Sequence, residues 1–396
     1  MEKETNSRAN KFDVIVVGAG PAGSSAAITA QKNGLKVAII DKQAFPRNKL
    51  CAALFSGRAL RSMKCVFSSI PDDSYFLNIN SVTFKWGGTT IRNWTSDHKL
   101  RLSYRHDVDH WLLKLAIKSG VSDFQKVQLS KIDEENCTIE LKDGRILHYN
   151  VLIGADGANS IVGRHLFGRP FDPNTIGFAL ETEAPEECDE NADLSIDFDC
   201  VRPGYGWSFP KIKSRTIGVA ALHKANPKLK STMSKYLHSE NIQEKSVNVK
   251  GAFIPLGDYH KLPGRNEILL AGDAAGLVDG LTGEGIAYAI ESGAKAAEAA
   301  TSAISSNTPC LAFEYYLPLV KEHHKELDIA NRIRAFAYGW PFRKRFRKAL
   351  ETHPTMHKKF FDLLEGNASY CDIEAQINKK LLSSLMKLPN MLKYTR

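Results

Sequence analysis

The stretch FDVIVVGAGPAGSSAAITAQKNGLKVAIIDK, Phe12–Lys42, decides the fold. Its pattern predicts a β-strand from Asp13 to Val17 and a glycine turn. A helix from about Ala22 to Asn33 follows, stopped by Gly34, and then a second strand ending at Asp41. This is a βαβ unit whose turn reads G-x-G-x-x-G. Gly18 permits the tight turn, Gly20 lets the backbone approach a pyrophosphate, and Gly23 lets the helix sit close to the strand. The helix start at Pro21 and Ala22 offers unpaired N–H groups to phosphate oxygens. Asp41, followed by Lys42, stands where a carboxylate accepts hydrogen bonds from ribose hydroxyls. A glycine turn closing an ordinary βα unit is the alternative, but strands, helix and terminal carboxylate occur together here.

Two remote segments extend the reading. YNVLIGADGANSIVGRHL (Tyr149–Leu166) predicts a strand over Val151 to Ala155, then Asp156-Gly157, then a helix starting at Asn159 or Ser160. A carboxylate in that turn can face a ligand, or the turn can be a plain strand-to-helix link capped by Ser160. EILLAGDAAG (Glu267–Gly276) predicts a buried strand ending at Gly272-Asp273. GEGIAYAIESGAKAAEAA (Gly283–Ala300) predicts an alanine-rich helix with Gly283, Glu284, Gly285 and Ile286 in its first turn. Asp273 can hold sugar-chain hydroxyls, and the helix start near Gly285 can stabilise negative charge on a flat redox ring.

In this order and spacing, the three segments resemble the FAD-dependent oxidoreductases of the p-hydroxybenzoate hydroxylase type over roughly residues 12 to 320. The resemblance implies that Gly18, Gly20, Gly23 and Asp41 bind the ADP half of FAD and that Asp273 binds its ribityl or phosphate portion. FPRNKLCAALFSGRAL (Phe45–Leu60) is similar to the Arg-x-Lys-x-Cys-Gly-Gly stretch of geranylgeranyl reductases: Arg47, Lys49 and Cys51 match, whereas Ala52 and Ala53 replace the two glycines. LSYRHDVDHWLLKLA (Leu102–Ala116) resembles the family's Arg-x-x-x-Asp segment, which implies Arg105 near the FAD phosphates and Asp109 opening a helix. In RPGYGWSFPKIKSRTIGVAAL (Arg202–Leu222), Tyr205, Trp207 and Phe209 alternate and so share one face of a strand, which by periodicity alone reads more readily as core than as a binding wall. Their spacing is similar to the geranylgeranyl reductase signature, where these aromatics line a polyprenyl channel. Flavin-dependent halogenases carry a second Trp at the Tyr205 position and an aliphatic residue at Phe209.

The fold expected is therefore α/β. A discontinuous Rossmann-like FAD-binding domain (10–75, 100–168 and 251–325) carries an inserted, mainly antiparallel β-sheet substrate domain (76–99 and 169–250), and residues 326–396 form a helical C-terminal region. Within the insertions only LKSTMSKYLHS, Leu229–Ser239, has helical periodicity. The activity expected is reduction of carbon–carbon double bonds in a polyprenyl lipid or quinone side chain, with hydride from the flavin and Cys51 as candidate proton donor. Tyr205 is an alternative donor, and Cys51 reads equally well as a small buried hydrophobe. The alternatives are an FAD-dependent monooxygenase or halogenase, and an electron-transfer flavoprotein without its own lipid substrate. A second G-x-G-x-x-G unit is absent, which leaves NADPH, reduced ferredoxin or a quinol as electron donor.

A formal charge of +9 permits an anionic partner without choosing one. Asn331–Leu350 holds seven basic residues and no acidic one, with Phe and Trp interleaved. It suits either the surface of an anionic bilayer or helices packed on the body with their cations solvated. The final stretch, KKLLSSLMKLPNMLKYTR, repeats the mixture, and Pro341 and Pro389 are expected to break any helix. No nucleic-acid motif accompanies the charge. Seven scattered cysteines without a C-x-x-C pair suggest a reducing compartment, and no apolar run reaches the roughly 20 residues of a membrane span. A cytoplasmic protein with at most peripheral membrane contact is expected. His106 and the His323-His324 pair have no metal-ligand spacing, so no metal is expected.

Overall fold

A computed structural model describes residues 10–339 and 343–375. In chain order its strands are β1 (Lys11–Val17), β2 (Val37–Asp41), β3 (Leu54–Phe55), β4 (Leu77–Trp86), β5 (Thr89–Leu102), β6 (Ser122–Gln125), β7 (Leu129–Asp133) and β8 (Thr138–Leu141). They continue with β9 (Ile146–Gly154), β10 (Gly177–Pro185), β11 (Leu194–Asp197), β12 (Gly204–Lys211), β13 (Ser214–Leu222), β14 (Lys250–Ile254), β15 (Gly264–Arg265) and β16 (Ile268–Leu270). The helices are α1 (Pro21–Lys32), α2 (Gly57–Phe67), α3 (Arg105–Lys118), α4 (Ile161–Phe167), α5 (Leu229–Ser239), α6 (Ile286–Ser305), α7 (Ala312–Tyr338), α8 (Arg343–Thr352) and α9 (Pro354–Leu364).

The first sheet runs β15-β16-β9-β1-β2-β6, with β7 and β8 extending it from β9. Its central strands β16, β9, β1, β2 and β6 are parallel, and Val14 lies opposite both Val37 and Val151. Both faces of β1 are buried, which is why its apolar run is nearly unbroken. Helices α1 and α6 cover one face and approach each other closely because small residues meet. A Cβ at Gly293 would lie 2.1 Å from the carbonyl oxygen of Ala22. Ser25 Oγ donates to the Ile290 carbonyl at 2.6 Å across the same seam.

The second sheet runs β14-β10-β13-β12-β11-β4-β5-β3 and is antiparallel except where β11 meets β4. Because Ile196 lies opposite both Phe84 and Trp207, one face of this sheet carries Phe84, Trp86, Ile196, Trp207 and Phe209. Helices α8 and α9 cover part of that face through Phe346, Leu350, Phe361 and Leu364. The ring of Phe361 stacks on Trp94 with centroids 4.4 Å apart. Helix α5 has the bounds expected of LKSTMSKYLHS and packs on the opposite side with Met233, Tyr236 and Leu237.

Three local expectations need correction. The late strand stops at Leu270, because Gly272 takes φ +59° and turns the chain into a single 3-10 turn holding Asp273. Helix α6 begins at Ile286 with Gly285 as N-cap, so Gly283 and Glu284 belong to the loop before it. Asp109 does not open a helix: α3 starts at Arg105, which puts Asp109 one turn inside.

The basic segment Asn331–Leu350 is divided between the end of α7 and α8. Arg332 pairs with Glu374, Arg334 donates to the Leu256 carbonyl, Arg343 pairs with Asp199 and lies over Trp86, and Arg347 pairs with Glu351. Four of its seven cations are thus spent within the fold, while Lys344, Arg345 and Lys348 are exposed. Pro341, Pro389 and the final stretch lie outside the described residues. Among the described residues no helix is long and apolar enough to cross a membrane.

Candidate active site

The glycine turn leaves β1 and enters α1, with Gly20 as N-cap and Pro21 at the first helical position. Its inner side is filled. A Cβ at Gly18 would lie 2.3 Å from the Ala155 carbonyl oxygen, and one at Gly23 only 1.7 Å from that of Gly18. Gly20 faces the other way, and its nearest neighbour would be the Arg47 guanidinium at 3.3 Å. Asp41 ties the turn down: its carboxylate accepts from the N–H groups of Ala19 (2.9 Å) and Gln43 (2.8 Å), each oxygen keeping a further lone pair. Lys42 beside it is exposed.

Arg105 stands at the start of α3 and is buried. Its guanidinium holds Asp109 in a bidentate pair (2.8 and 2.9 Å), and Arg47 reaches the same carboxylate at 3.5 Å. Burial opposes the charge on Arg105, but Asp109 and the Cys51 sulfur outweigh it and hold the guanidinium above its usual range. One carboxylate thus anchors two arginines, and Arg47 reaches over the open side of the helix α1 start. The arrangement suits an anion with more charge than one cation can neutralise.

Cys51 and Ala52 follow in the same loop. Ala53 N–H donates to the Cys51 sulfur at 3.3 Å, and the Cys51 N–H donates to Glu181 at 3.0 Å. Ala53 takes φ +56°, so where the family pattern has glycine this chain keeps an alanine in a left-handed conformation. Asp273 is half-buried, with Lys49 at 3.4 Å. The loop before α6 is held from three sides. Asp279 accepts from Leu281 and Thr282 N–H and from the Tyr370 hydroxyl, Tyr205 donates to the Thr282 carbonyl at 3.0 Å, and Glu284 accepts from Ala287 N–H at 2.8 Å. Gly283 has φ +73° and lies against the Tyr205 hydroxyl. Ile286 is buried behind it.

The structure thus brings Arg47, Cys51, Ala52 and Arg105 together beside the glycine turn. Asp156 meets the turn by its backbone, its Cα lying 2.8 Å from where a Cβ at Gly18 would stand. Its carboxylate turns back onto Ser160 and the Ile161 N–H (2.6 Å), capping α4. Trp207 and Phe209 are buried in the aromatic core, in contact with the cluster that includes Leu50 and Ala52, and Tyr205 is half-buried at its edge. The Trp207 indole N–H is buried without a partner among the described residues. The Tyr205 hydroxyl is committed to the loop, and burial raises its pKa, which weakens it as a proton donor. His323 is buried against Tyr288 and desolvation pushes it down to about 3, His324 stacks on Tyr259, and His106 is exposed.

Sequence reasoning missed Glu181. It lies on β10, 6 % exposed, and burial pushes its carboxyl up to about 7 against the pull of Lys211. The available signal was a pair of glutamates two apart, Glu181 and Glu183, on one face of an otherwise apolar strand.

Comparison with known proteins places the chain in a family. Residues 12–193 match the family model described as pyridine nucleotide-disulphide oxidoreductase. An uncharacterized protein of Methanosarcina barkeri is 32% identical over 83% of this chain and 84% of its own length. Geranylgeranyl diphosphate reductase of Rhodobacter capsulatus is 32% identical over 76% of this chain and 77% of its own. The chain belongs to the geranylgeranyl reductase family. Menaquinone reductase of Mycolicibacterium smegmatis is another similar protein, 31% identical over 77% of this chain and 81% of its own. As a geranylgeranyl reductase family member the protein is an FAD-dependent oxidoreductase. Among solved structures, a geranylgeranyl bacteriochlorophyll reductase-like protein from Thermoplasma acidophilum has the same fold (TM-score 0.73, 23% identity, 90% of this chain and 92% of that one). So does the flavin-dependent brominase Bmp2 (TM-score 0.70, 18% identity, 93% and 100%).

The residues present fit FAD. The glycine turn is closed behind and open in front, Arg47 stands at the opening and is tied through Asp109 to the buried Arg105, and an additional carbon at Gly20 would occupy the approach.

Proposed function

We propose that the protein reduces carbon–carbon double bonds in a polyprenyl chain carried by a lipid or quinone. The observation that carries this is the Tyr205-Trp207-Phe209 stripe, which shares an apolar cluster with the loop around Cys51. The names of the Rhodobacter and Mycolicibacterium relatives support it. When bound, reduced FAD supplies the hydride. Gly18, Gly20, Pro21, Ala22, Gly23, Asp41, Lys42, Arg47 and Arg105 hold its ADP half, Asp273 its ribityl chain, and Cys51, Ala52, Gly283, Gly285 and Ile286 surround its ring. NADPH or a reduced ferredoxin is the electron donor. An isolated alkene is a poor hydride acceptor, so the chain's own work is positioning, exclusion of water and delivery of one proton. Tyr205, Trp207 and Phe209 form the apolar wall, and the Cys51 thiol gives the proton.

Anaerobic incubation of the dithionite-reduced enzyme with prenyl lipids and quinones tests the reading, since mass spectrometry sees two hydrogens added per reduced bond. Unchanged substrates in every prenyl class would overturn it. Oxygen consumption coupled to substrate instead would favour the monooxygenase or halogenase alternative, whose fold the brominase shares. A flavin that cycles between its redox states beside a closed pocket would favour electron transfer.

A further inference from the structure

On one face of β10, two glutamates two residues apart meet opposite fates. Glu183 is fully engaged: Lys211 Nζ donates to it at 2.8 Å, Thr216 Oγ1 at 2.7 Å and Ser214 Oγ at 2.6 Å. Glu181 receives one hydrogen bond, from the Cys51 N–H. Its second carboxyl oxygen is buried with no partner among the described residues. The cations that face it are already spent, because Arg105 on α3 is bidentate with Asp109 and Lys211 on β12 is paired with Glu183. Glu183 itself adds a like charge from the same strand. A carboxylate so placed has lost its water and gained no counter-ion of its own, so it keeps its proton to about neutrality.

The neighbour it touches is the residue proposed to give the proton. The Cys51 sulfur accepts from Ala53 N–H and interacts with the Arg105 guanidinium, so a donor and a cation face it once the hydrogen has left. We propose that Glu181 is the proton store of this site and resupplies the Cys51 thiol after each turnover, an inference that rests on the reductase reading above. The balance is simple. One alkene carbon takes hydride from the reduced cofactor while the S–H bond of Cys51 breaks and a C–H bond forms at the other carbon. The O–H bond of Glu181 then breaks as S–H re-forms, and water restores the carboxylic acid when the product leaves. Glu181 acts through Cys51 and touches neither reacting carbon.

The test uses the FAD-loaded enzyme. The rate of iodoacetamide alkylation at Cys51, read by mass spectrometry of its peptide, is followed across about pH 5 to 9 in the wild type and in Glu181→Gln. Infrared spectra over the same range follow the carboxylic-acid carbonyl band. The wild type is expected to show an inflection near neutrality in both readouts, and Glu181→Gln to lose the alkylation inflection and one carboxyl's share of the infrared band, Glu284 keeping the rest, while retaining FAD. Glu181→Asp, which keeps the acid, should restore the alkylation inflection. A wild-type carboxyl already ionised at the acid end of the range, or an alkylation profile identical in wild type and Glu181→Gln, overturns the proposal. Burial also holds the Glu284 carboxyl at about 7, so the infrared arm is read as the difference between wild type and variant, and Glu181→Asp, which keeps the acid, carries the test if Glu181→Gln misfolds. Lipid reduction assayed in parallel separates the two ideas. A neutral-pH inflection without lipid reduction removes the reductase reading alone, whereas lipid reduction without the inflection removes the proton store alone.

Discussion

Gly23→Ala should break the glycine turn, whereas Gly20→Ala should spare it. The added carbon at residue 23 would lie 1.7 Å from the carbonyl oxygen of Gly18, 2.8 Å from its carbonyl carbon and 3.3 Å from Val16 Cγ1. A carbon and a carbonyl oxygen tolerate about 3.3 Å, so α1 and β1 have to part by about 1.5 Å. Nothing nearby can yield, because Val14, Val16, Ala26 and Ala27 are wholly buried and the obstacle is backbone. Overpacking costs about 1–3 kcal/mol when side chains adjust, so a loss of about 3 kcal/mol or more is expected here. At Gly20 the new carbon meets only the mobile end of Arg47 at 3.3 Å. Its effect on stability should stay within about 0.5 kcal/mol, while FAD retention falls because the methyl stands in the phosphate approach. Urea unfolding of the FAD-free protein measures the first quantity, and flavin fluorescence on titration measures the second. Gly23→Ala unfolding within about 1 kcal/mol of the wild type, or Gly20→Ala losing as much stability as Gly23→Ala, would refute the reasoning.

Burial pushes the Glu181 carboxyl from its ordinary 4.5 up to about 7, so between those values the folded chain holds the proton and the unfolded chain does not. Its share of the stability should therefore fall as pH rises through that window, by up to about 3 kcal/mol, and Glu181→Gln should lessen the slope seen in melts at successive pH values, Glu284 supplying the remainder. Asp109→Ala strands Arg105 as a buried charge and should cost about 3–5 kcal/mol in urea unfolding. Ala53→Gly relieves a left-handed alanine worth about 1 kcal/mol, partly offset by glycine's freedom in the unfolded chain, so a small rise in Tm is expected. Asp273→Ala should weaken FAD retention without changing the melting of the FAD-free protein, and unchanged flavin affinity would count against its placement.

The glycine turn was legible because its demands are local: close approach at Gly23, an open front at Gly20, and a strand on each side whose apolar run announces burial. Helix α5 was legible for the same reason, since eleven consecutive residues carry its period. The end of β16 was not, because a three-residue strand gives no period and its stop depends on how Gly272 turns. Asp156 could equally face a ligand or cap α4, and only packing chose between them. Glu181 stayed hidden for a stronger reason. A glutamate in a strand looks like a solvated edge until the cations around it are found to belong to other carboxylates, and those partners come from α3 and β12. The pairing of the Asn331–Leu350 cations was hidden for a related reason, since acceptors such as Asp199 and the Leu256 carbonyl are remote in sequence.

The aromatic side of the second sheet is covered by α8 and α9, which follow every strand of that sheet in the chain. During translation Phe84, Trp86 and Trp94 must therefore wait, wetted, until Phe346 and Phe361 have emerged from the ribosome. Nascent chains halted short of that point present an oily sheet to one another, and the arrival of those two helices is what closes this half of the molecule against association.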